Sequence, residues 1–305
     1  MEGKDFLTIA DLLPKEVEHL IEQANVLKNE VRPRLLEGKI IALVFEKPSL
    51  RTRVSFEVGI RQMGGDTIYL SQQDIGLGSR EPVEDSARVL DRLVDGVVAR
   101  VFSHRNLEIM AENTSIPVIN ALSDLAHPCQ AIGDMLTILE YKSRLKGLTI
   151  SYIGDGNNIA GSLALACASV GANFTIASPS QYRIPDVVWK EALSRATITG
   201  SLIQWKENAV DAVANADVVY TDVWISMGQE IEKEQRLRNF DNYRVSEDLV
   251  EAARPDFLFM HDMPAHRGEE ITIGMLDHPR SVVFQQAENR LHAQNAILKE
   301  LFKDF

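Results

Sequence analysis

Apolar residues along this chain fall into short unbroken runs separated by stretches with helical spacing. Ile40 to Phe45 (Ile-Ile-Ala-Leu-Val-Phe) is the first such run. A strand buried on both faces, as in a parallel sheet, has no polar face to show and reads in this way. Pro48 breaks the run, and Ser49 then caps a helix whose inward positions are expected to include Val54, Val58 and Met63 and which ends at Gly64-Gly65. Apolar runs at 67–70, 97–102 and 117–120 read as further strands, with helices between them. An amphipathic helix from about Pro128 to Tyr141, with Ile132, Leu136 and Leu139 inward, leads to a linker at Leu145-Lys146-Gly147. The alternation then restarts, with strands expected at 148–153, 174–177, 202–205, 218–220 and 257–260. The pattern predicts a parallel α/β protein in two halves. The charged stretch 229–238 reads as a solvated helix face with i,i+4 pairs, and 288–305 as a final helix that packs back onto the first half.

In open α/β sheets ligands bind beyond the carboxyl ends of strands, so polar residues that follow an apolar run carry the most weight. Ser49, Arg51, Thr52 and Arg53 sit on or beside a helix N-terminus, whose free N–H groups and positive dipole end suit a phosphate; capping alone would also account for Ser49 and Thr52. Arg100 lies inside an apolar strand pattern, where it either serves a ligand or forms a buried ion pair with Asp95 or Glu57. His127 precedes a proline placed at the first position of a helix, so its imidazole and Gln130 can both face a ligand near a second helix N-terminus. Gly154-Asp155-Gly156 begins like a dinucleotide fingerprint, but the third glycine's place is Ile159 and 174–178 offers no carboxylate for a ribose. Two more clusters, 222–228 and 261–264, follow the last strands.

Bulk composition narrows the setting. A chain of 305 residues suits two domains, and 45% hydrophobic residues can fill their cores. No apolar stretch approaches the roughly 20 residues of a membrane span. The opening Met-Glu-Gly-Lys-Asp lacks the apolar region of a signal peptide. Two cysteines, Cys129 and Cys167, form no disulfide framework or zinc-site pattern, which fits a cytoplasmic protein. A net charge of −12 argues against nucleic acid or an anionic membrane as partner. An anionic substrate must therefore be held by local arginines.

Taken together, Ser49-Leu50-Arg51-Thr52-Arg53, Arg100, His127-Pro-Cys-Gln130, the Asp-x-x-x-Ser-Met-Gly segment at 222–228 and Ala287-Glu-Asn-Arg290 closely resemble the aspartate/ornithine carbamoyltransferase superfamily over nearly the whole chain. The 222–228 segment is similar to the loop that recognises ornithine. The resemblance implies two doubly wound parallel-sheet domains with a catalytic cleft between them: residues 1–145 binding carbamoyl phosphate, 146–286 binding ornithine, and 287–305 returning to the first domain. It implies transfer of the carbamoyl group to the δ-amine of ornithine, giving citrulline and phosphate, in either metabolic direction and without metal or cofactor. Ser49, Leu50 through its backbone, Arg51, Thr52, Arg100, His127, Gln130 and Arg290 would hold carbamoyl phosphate. Asn158, Asp222, Ser226, Met227, Asp262 and Met263 would hold ornithine, with Arg100, His127 and Asp262 nearest the chemistry. A homotrimer, or an assembly of trimers, is the implied state.

Three positions depart from the family pattern. Leu50 replaces a threonine, and Gly76 stands where relatives carry a polar ligand, so Ser79 or Arg80 is expected to substitute there, reaching into a neighbouring subunit's site. Asp262, in His261-Asp262-Met263-Pro264, replaces a cysteine. It is expected to act as an anionic partner of the substrate's ammonium or amine, paired or partly protonated before ornithine arrives; the plainer alternative is a strand-end aspartate that caps a turn. Competing functions are a carbamoyltransferase for another amine, such as putrescine or an acylated ornithine, a catalytically silent regulatory paralogue, and a Rossmann oxidoreductase.

Overall fold

The computed structural model describes residues 5–29, 33–226, 228 and 230–303. The chain forms two compact units: Met1–Leu136 with Glu288–Phe305, and Thr137–Ala287. Each is a parallel sheet with helices.

In the first unit the strands are β1 (Ile40–Phe45), β2 (Asp66–Ser71), β3 (Gly96–Arg100) and β4 (Val118–Leu122), in the order β2-β1-β3-β4. The uninterrupted apolar sequences of β1 and β3 have the cause inferred for them, since both strands lie inside the sheet and are almost wholly buried. β2 is an edge strand and leaves Ile68 exposed. Strand order reverses between β1 and β3, whose register pairs Phe45 with Arg100. This switch point sets the residues after Phe45 beside the end of β3.

In the second unit β5 (Thr149–Ile153), β6 (Asn173–Ala177), β7 (Ile203–Lys206), β8 (Val218–Thr221) and β9 (Leu258–His261) run in the order β7-β6-β5-β8-β9. Here the reversal falls between β5 and β8. Ile153 pairs with Thr221, and Thr221 with His261. Three strands therefore end level, and the segments starting at Gly154, Asp222 and Asp262 leave the sheet along one edge. All nine expected strands are present, with ends shifted by at most two residues.

Two helical expectations need correction. On the Leu50–Gln62 helix the buried positions are Thr52, Phe56, Gly59 and Ile60; Val54 and Val58 are 48% and 38% exposed, and only Met63, at the cap, is buried as expected. Apolar spacing identified the helix but not its inward face, because a second apolar stripe points to solvent. The charged stretch contains the helix Lys233–Phe240 after a short 3-10 turn, Glu230–Glu232, and carries the i,i+4 pairs Glu232–Arg236 and Glu234–Arg238. Arg236, however, is only 3% exposed and belongs to the interior. Gln229 lies outside the described residues.

Candidate functional site

Within the first unit, Ser49 caps the Leu50–Gln62 helix, its Oγ accepting from the Thr52 N–H at 3.3 Å. The same hydroxyl donates to Thr52 Oγ1 at 3.0 Å. Thr52 Oγ1 also accepts from the Arg290 guanidinium at 2.6 Å and, more weakly, from Arg100 at 3.4 Å. The carboxylates weighed as partners for Arg100 are engaged by other cations: Asp95 by Lys39 at 3.2 Å and Glu57 by Arg53 at 2.8 Å. Arg290 stands on the Val283–Phe302 helix. The helix backbone comes close because Gly133 has no side chain; a Cβ there would lie 3.3 Å from the Arg290 backbone nitrogen.

His127 is buried immediately before Pro128, the first residue of the Pro128–Lys142 helix. Burial, then Arg290, Arg100 and Arg51, hold its pKa well below the ordinary histidine value, so the imidazole is neutral among three guanidiniums. Gln130, one turn on and equally buried, gives its Nε2 to Asp134 at 2.8 Å, and its Oε1 has no hydrogen-bond partner among the described residues. Cys129 packs away from this chemistry. Its thiol donates to the Asn120 carbonyl at 3.3 Å, and burial pushes its pKa up to about 12. Ser49, Arg51, Thr52, Arg100, His127, Gln130 and Arg290 thus belong to one unit and lie about two helix N-termini, a setting chemically suited to an anion.

The loop at 71–81 turns about Gly76. Gly76 ends a one-turn helix, Gln72–Ile75, at φ +54°, in the left-handed region that favours glycine, and a Cβ would lie 2.8 Å from Arg80 Cβ. Ser79 Oγ donates to the Gly76 carbonyl and Arg80 to that of Asp74. Both side chains brace their own loop and remain exposed.

In the second unit the aligned strand ends gather carboxylates. Asp222 is buried, and its Oδ2 accepts from Asn157 Nδ2 at 2.9 Å. Burial and then the Asp262 charge push the Asp222 pKa up to about 7, against His261, the Val223 N–H and Asn157. Asp222 is therefore held partly protonated near neutrality. Asn157 is the residue the sequence reading missed. Its Oδ1 caps the Asn158–Ser169 helix, accepting from Ile159 and Ala160 at 3.0 and 3.1 Å, while its Nδ2 turns to Asp222. Asn158, the residue singled out from sequence, is the first helical residue. An asparagine directly before a helical pattern was the available signal. Ser226 follows in the loop beyond Asp222, and Met227 lies outside the described residues.

Two buried devices hold this edge. His261 Nδ1 accepts from the Met263 N–H at 2.8 Å, which places the ring proton on Nε2, 3.1 Å from Glu270 Oε1. Met263 has φ +63°, an uncommon conformation that this hydrogen bond supports. The second device is the Asp155–Arg236 ion pair. Arg236 also donates to the Trp224 carbonyl at 2.7 Å and lies against Tyr182 and Phe240, so it ties the loop after Asp222 to the loop after β5. Gly156 in that loop is required by packing. A Cβ there would meet the backbone of Arg183 and Ile184 at 2.3 Å, and only glycine fits.

Arg236→Met should destabilise the fold by about 3 to 5 kcal/mol at neutral pH, because it leaves Asp155 buried and unpaired. Burial pushes the Asp155 pKa up to about 6 even with Arg236 beside it, and loss of that cation raises it further. The variant's deficit relative to the parent therefore grows as pH rises through 6 and fades below it, where Asp155 is protonated in both folded proteins. Denaturant unfolding at several pH values should find the deficit shrinking below pH 6, and Asp155→Asn combined with Arg236→Met recovering part of it. A deficit independent of pH would mean that Arg236 acts through packing alone.

Comparison with known proteins bears on both units. Residues 4–140 match the family model described as aspartate/ornithine carbamoyltransferase, carbamoyl-P binding domain, and residues 146–301 that of the Asp/Orn binding domain. The chain is 50% identical over 302 residues to the ornithine carbamoyltransferase of Thermococcus kodakarensis, covering 98% of this chain and 96% of the relative. It is 48% identical over 300 residues to that of Bacillus subtilis, covering 98% and 94%. Among solved structures, ornithine carbamoyltransferase from Pyrococcus furiosus superposes with a TM-score of 0.95 at 46% identity, over 99% of this chain and 98% of the other. The anabolic enzyme from Campylobacter jejuni gives 0.94 at 37% identity, over 99% and 100%.

Proposed function

The chain belongs to the aspartate/ornithine carbamoyltransferase family, and we propose that the two strand-end clusters divide its substrates, the first unit holding carbamoyl phosphate and the second ornithine. The protein is an enzyme that transfers the carbamoyl group of carbamoyl phosphate to the δ-amine of ornithine, giving citrulline and phosphate. The observation that carries the site assignment is the neutral, buried His127 set among Arg51, Arg100 and Arg290 at helix N-termini.

In this reading the phosphate takes the Ser49 and Thr52 hydroxyls, the free N–H groups of the first helical turn beginning at Leu50, and Arg51. Arg100, His127 and Thr52 meet the carbonyl oxygen, and Arg290 completes the cluster. Gln130, with Nε2 given to Asp134, presents Oε1 as acceptor for the carbamoyl NH2. A neutral histidine suits the task, since it donates one hydrogen bond without adding a fourth positive charge. As the amine attacks, negative charge grows on the carbonyl oxygen and is met by donors already in place. Phosphate then leaves. Charge-assisted hydrogen bonds of about 1.5 to 3 kcal/mol each let these arginines hold a dianion against an acidic background.

Asp222 supplies the carboxylate for the α-ammonium, which draws it into its ionised form on binding. Asp262 faces the δ-nitrogen, which must lose a proton before or as it attacks. Ser226, Met227 and Met263 shape the remainder of the ornithine site, with Asn158 beside it, and Asn157 orients Asp222.

The assembly proposed is a homotrimer. Leu50, 75% exposed, forms with Val54 and Val58 an apolar stripe at i, i+4 and i+8 that a partner subunit would cover. A cytoplasmic setting accords with two buried free thiols, Cys129 and Cys167. Among the described residues, no helix is long and apolar enough to cross a membrane.

The test is phosphate release from carbamoyl phosphate by the purified chain with ornithine, putrescine and an acylated ornithine. Ornithine should give the highest kcat/KM. Preference for either other amine would reassign the acceptor pocket, and no turnover with any amine would remove the reading.

A further inference from the structure

Glu270 is fully buried and uses only one of its carboxylate oxygens. Oε1 accepts from the His266 N–H at 2.5 Å and from His261 Nε2 at 3.1 Å, whereas Oε2 has no hydrogen-bond partner among the described residues. A carboxyl oxygen withdrawn from water and left without a hydrogen-bond partner is costly, so a cation is the natural occupant of the space it faces. Two further ligand atoms converge there. His266 Nδ1 lies 4.0 Å from Glu270 Oε2 and 3.6 Å from Glu269 Oε2, and the three ligand atoms all fall within 4.8 Å of one another. Ligands around a tetrahedral zinc ion with bonds of about 2.0 to 2.2 Å stand roughly 3.3 to 3.6 Å apart, so closure from separations within 4.8 Å needs side-chain shifts on the order of 1 Å.

We propose that His266, Glu269 and Glu270 form a binding site for a divalent transition-metal ion of zinc's class. One imidazole and two carboxylates are a borderline donor set that suits zinc, and water would complete four-coordination. The supporting contacts have the form such sites need. The ligating carboxylate of Glu270 is fixed by two donors to its other oxygen, as outer contacts around metal ligands do. Access is available from the side of His266, whose side chain is 48% exposed. Lys233 is the rival cation, but its Nζ lies 3.8 Å from the other oxygen of Glu269 and leaves Oε2 for the ion. Because all three ligands lie between Pro264 and Ile271, an ion would clip together the turn that backs His261 and favour the folded state.

The test uses the full chain freed of metal with a chelator and titrated with zinc chloride by calorimetry. One ion per chain should bind, and the unfolding temperature should rise with zinc. His266→Ala and Glu269→Gln should each weaken binding by roughly tenfold or more and abolish the rise, while leaving carbamoyl transfer by the metal-free protein unchanged. Absence of saturable binding would overturn the proposal, as would binding that survives both substitutions. Binding lost in Asp262→Asn but kept in His266→Ala would place the ion at the acceptor carboxylates and overturn it equally. The calorimetric readout does not depend on turnover, so it stands or falls apart from the ornithine reading.

Discussion

Arg290→Met should lower kcat/KM for carbamoyl phosphate by about two to three orders of magnitude, the cost of removing a preorganised donor from the charge that develops on the substrate. Arg290 donates to Thr52 at 2.6 Å and is the first charge after burial itself to depress the pKa of His127. Its loss should therefore have a second signature. With one of three neighbouring cations gone, the His127 pKa rises toward its ordinary value, and if the neutral imidazole is required, the acid limb of the pH profile moves to higher pH. Arg290→Lys should recover part of the rate but not all, since an ammonium restores charge without the planar fork. Steady-state kinetics across pH, with thermal unfolding to confirm folding, reads both effects. A loss below about fivefold with an unmoved acid limb would remove Arg290 from the site.

How far the sequence revealed this arrangement depended on the kind of signal. Buried parallel strands such as β1 and β3 announce themselves, because a strand covered on both faces has no polar residues to interrupt it. Arg100 and His127 were legible for the complementary reason: a charge inside an apolar run and a histidine before a helix-starting proline are expensive or specific placements. Val54 and Val58 misled because periodicity marks an apolar stripe without saying what covers it. Arg236 was read as solvated since its partner, Asp155, lies 81 residues away and nothing local records the pairing. Glu270 had the same obscurity, being one of two adjacent glutamates in a polar turn until the fold sets it against His261. Asn157 and Asn158 differ only in which begins the helix, and a cap is decided by backbone geometry within a single residue.

Asp222→Asn should reduce kcat/KM for ornithine by roughly a hundredfold, or about 3 kcal/mol, because the substrate's ammonium would enter a buried site without its counter-charge. KM for carbamoyl phosphate should change little, since no carbamoyl phosphate ligand is altered. Asp262→Asn makes a different prediction from the same pair. The Asp262 charge is, after burial, the largest cause that raises the Asp222 pKa to about 7, so its removal lets Asp222 ionise at lower pH. The acid limb for ornithine should move down in pH, while the rate above the limb falls because the δ-nitrogen has lost its partner. Asp262→Cys should move the limb in the same direction, as its neutral thiol carries no charge to raise Asp222. Kinetics across pH with ornithine as the varied substrate distinguish the cases. If neither Asp262 variant changes the ornithine KM or the limb, Asp262 serves only the turn; a shifted limb with an unchanged plateau would mean that it tunes Asp222 without touching the substrate.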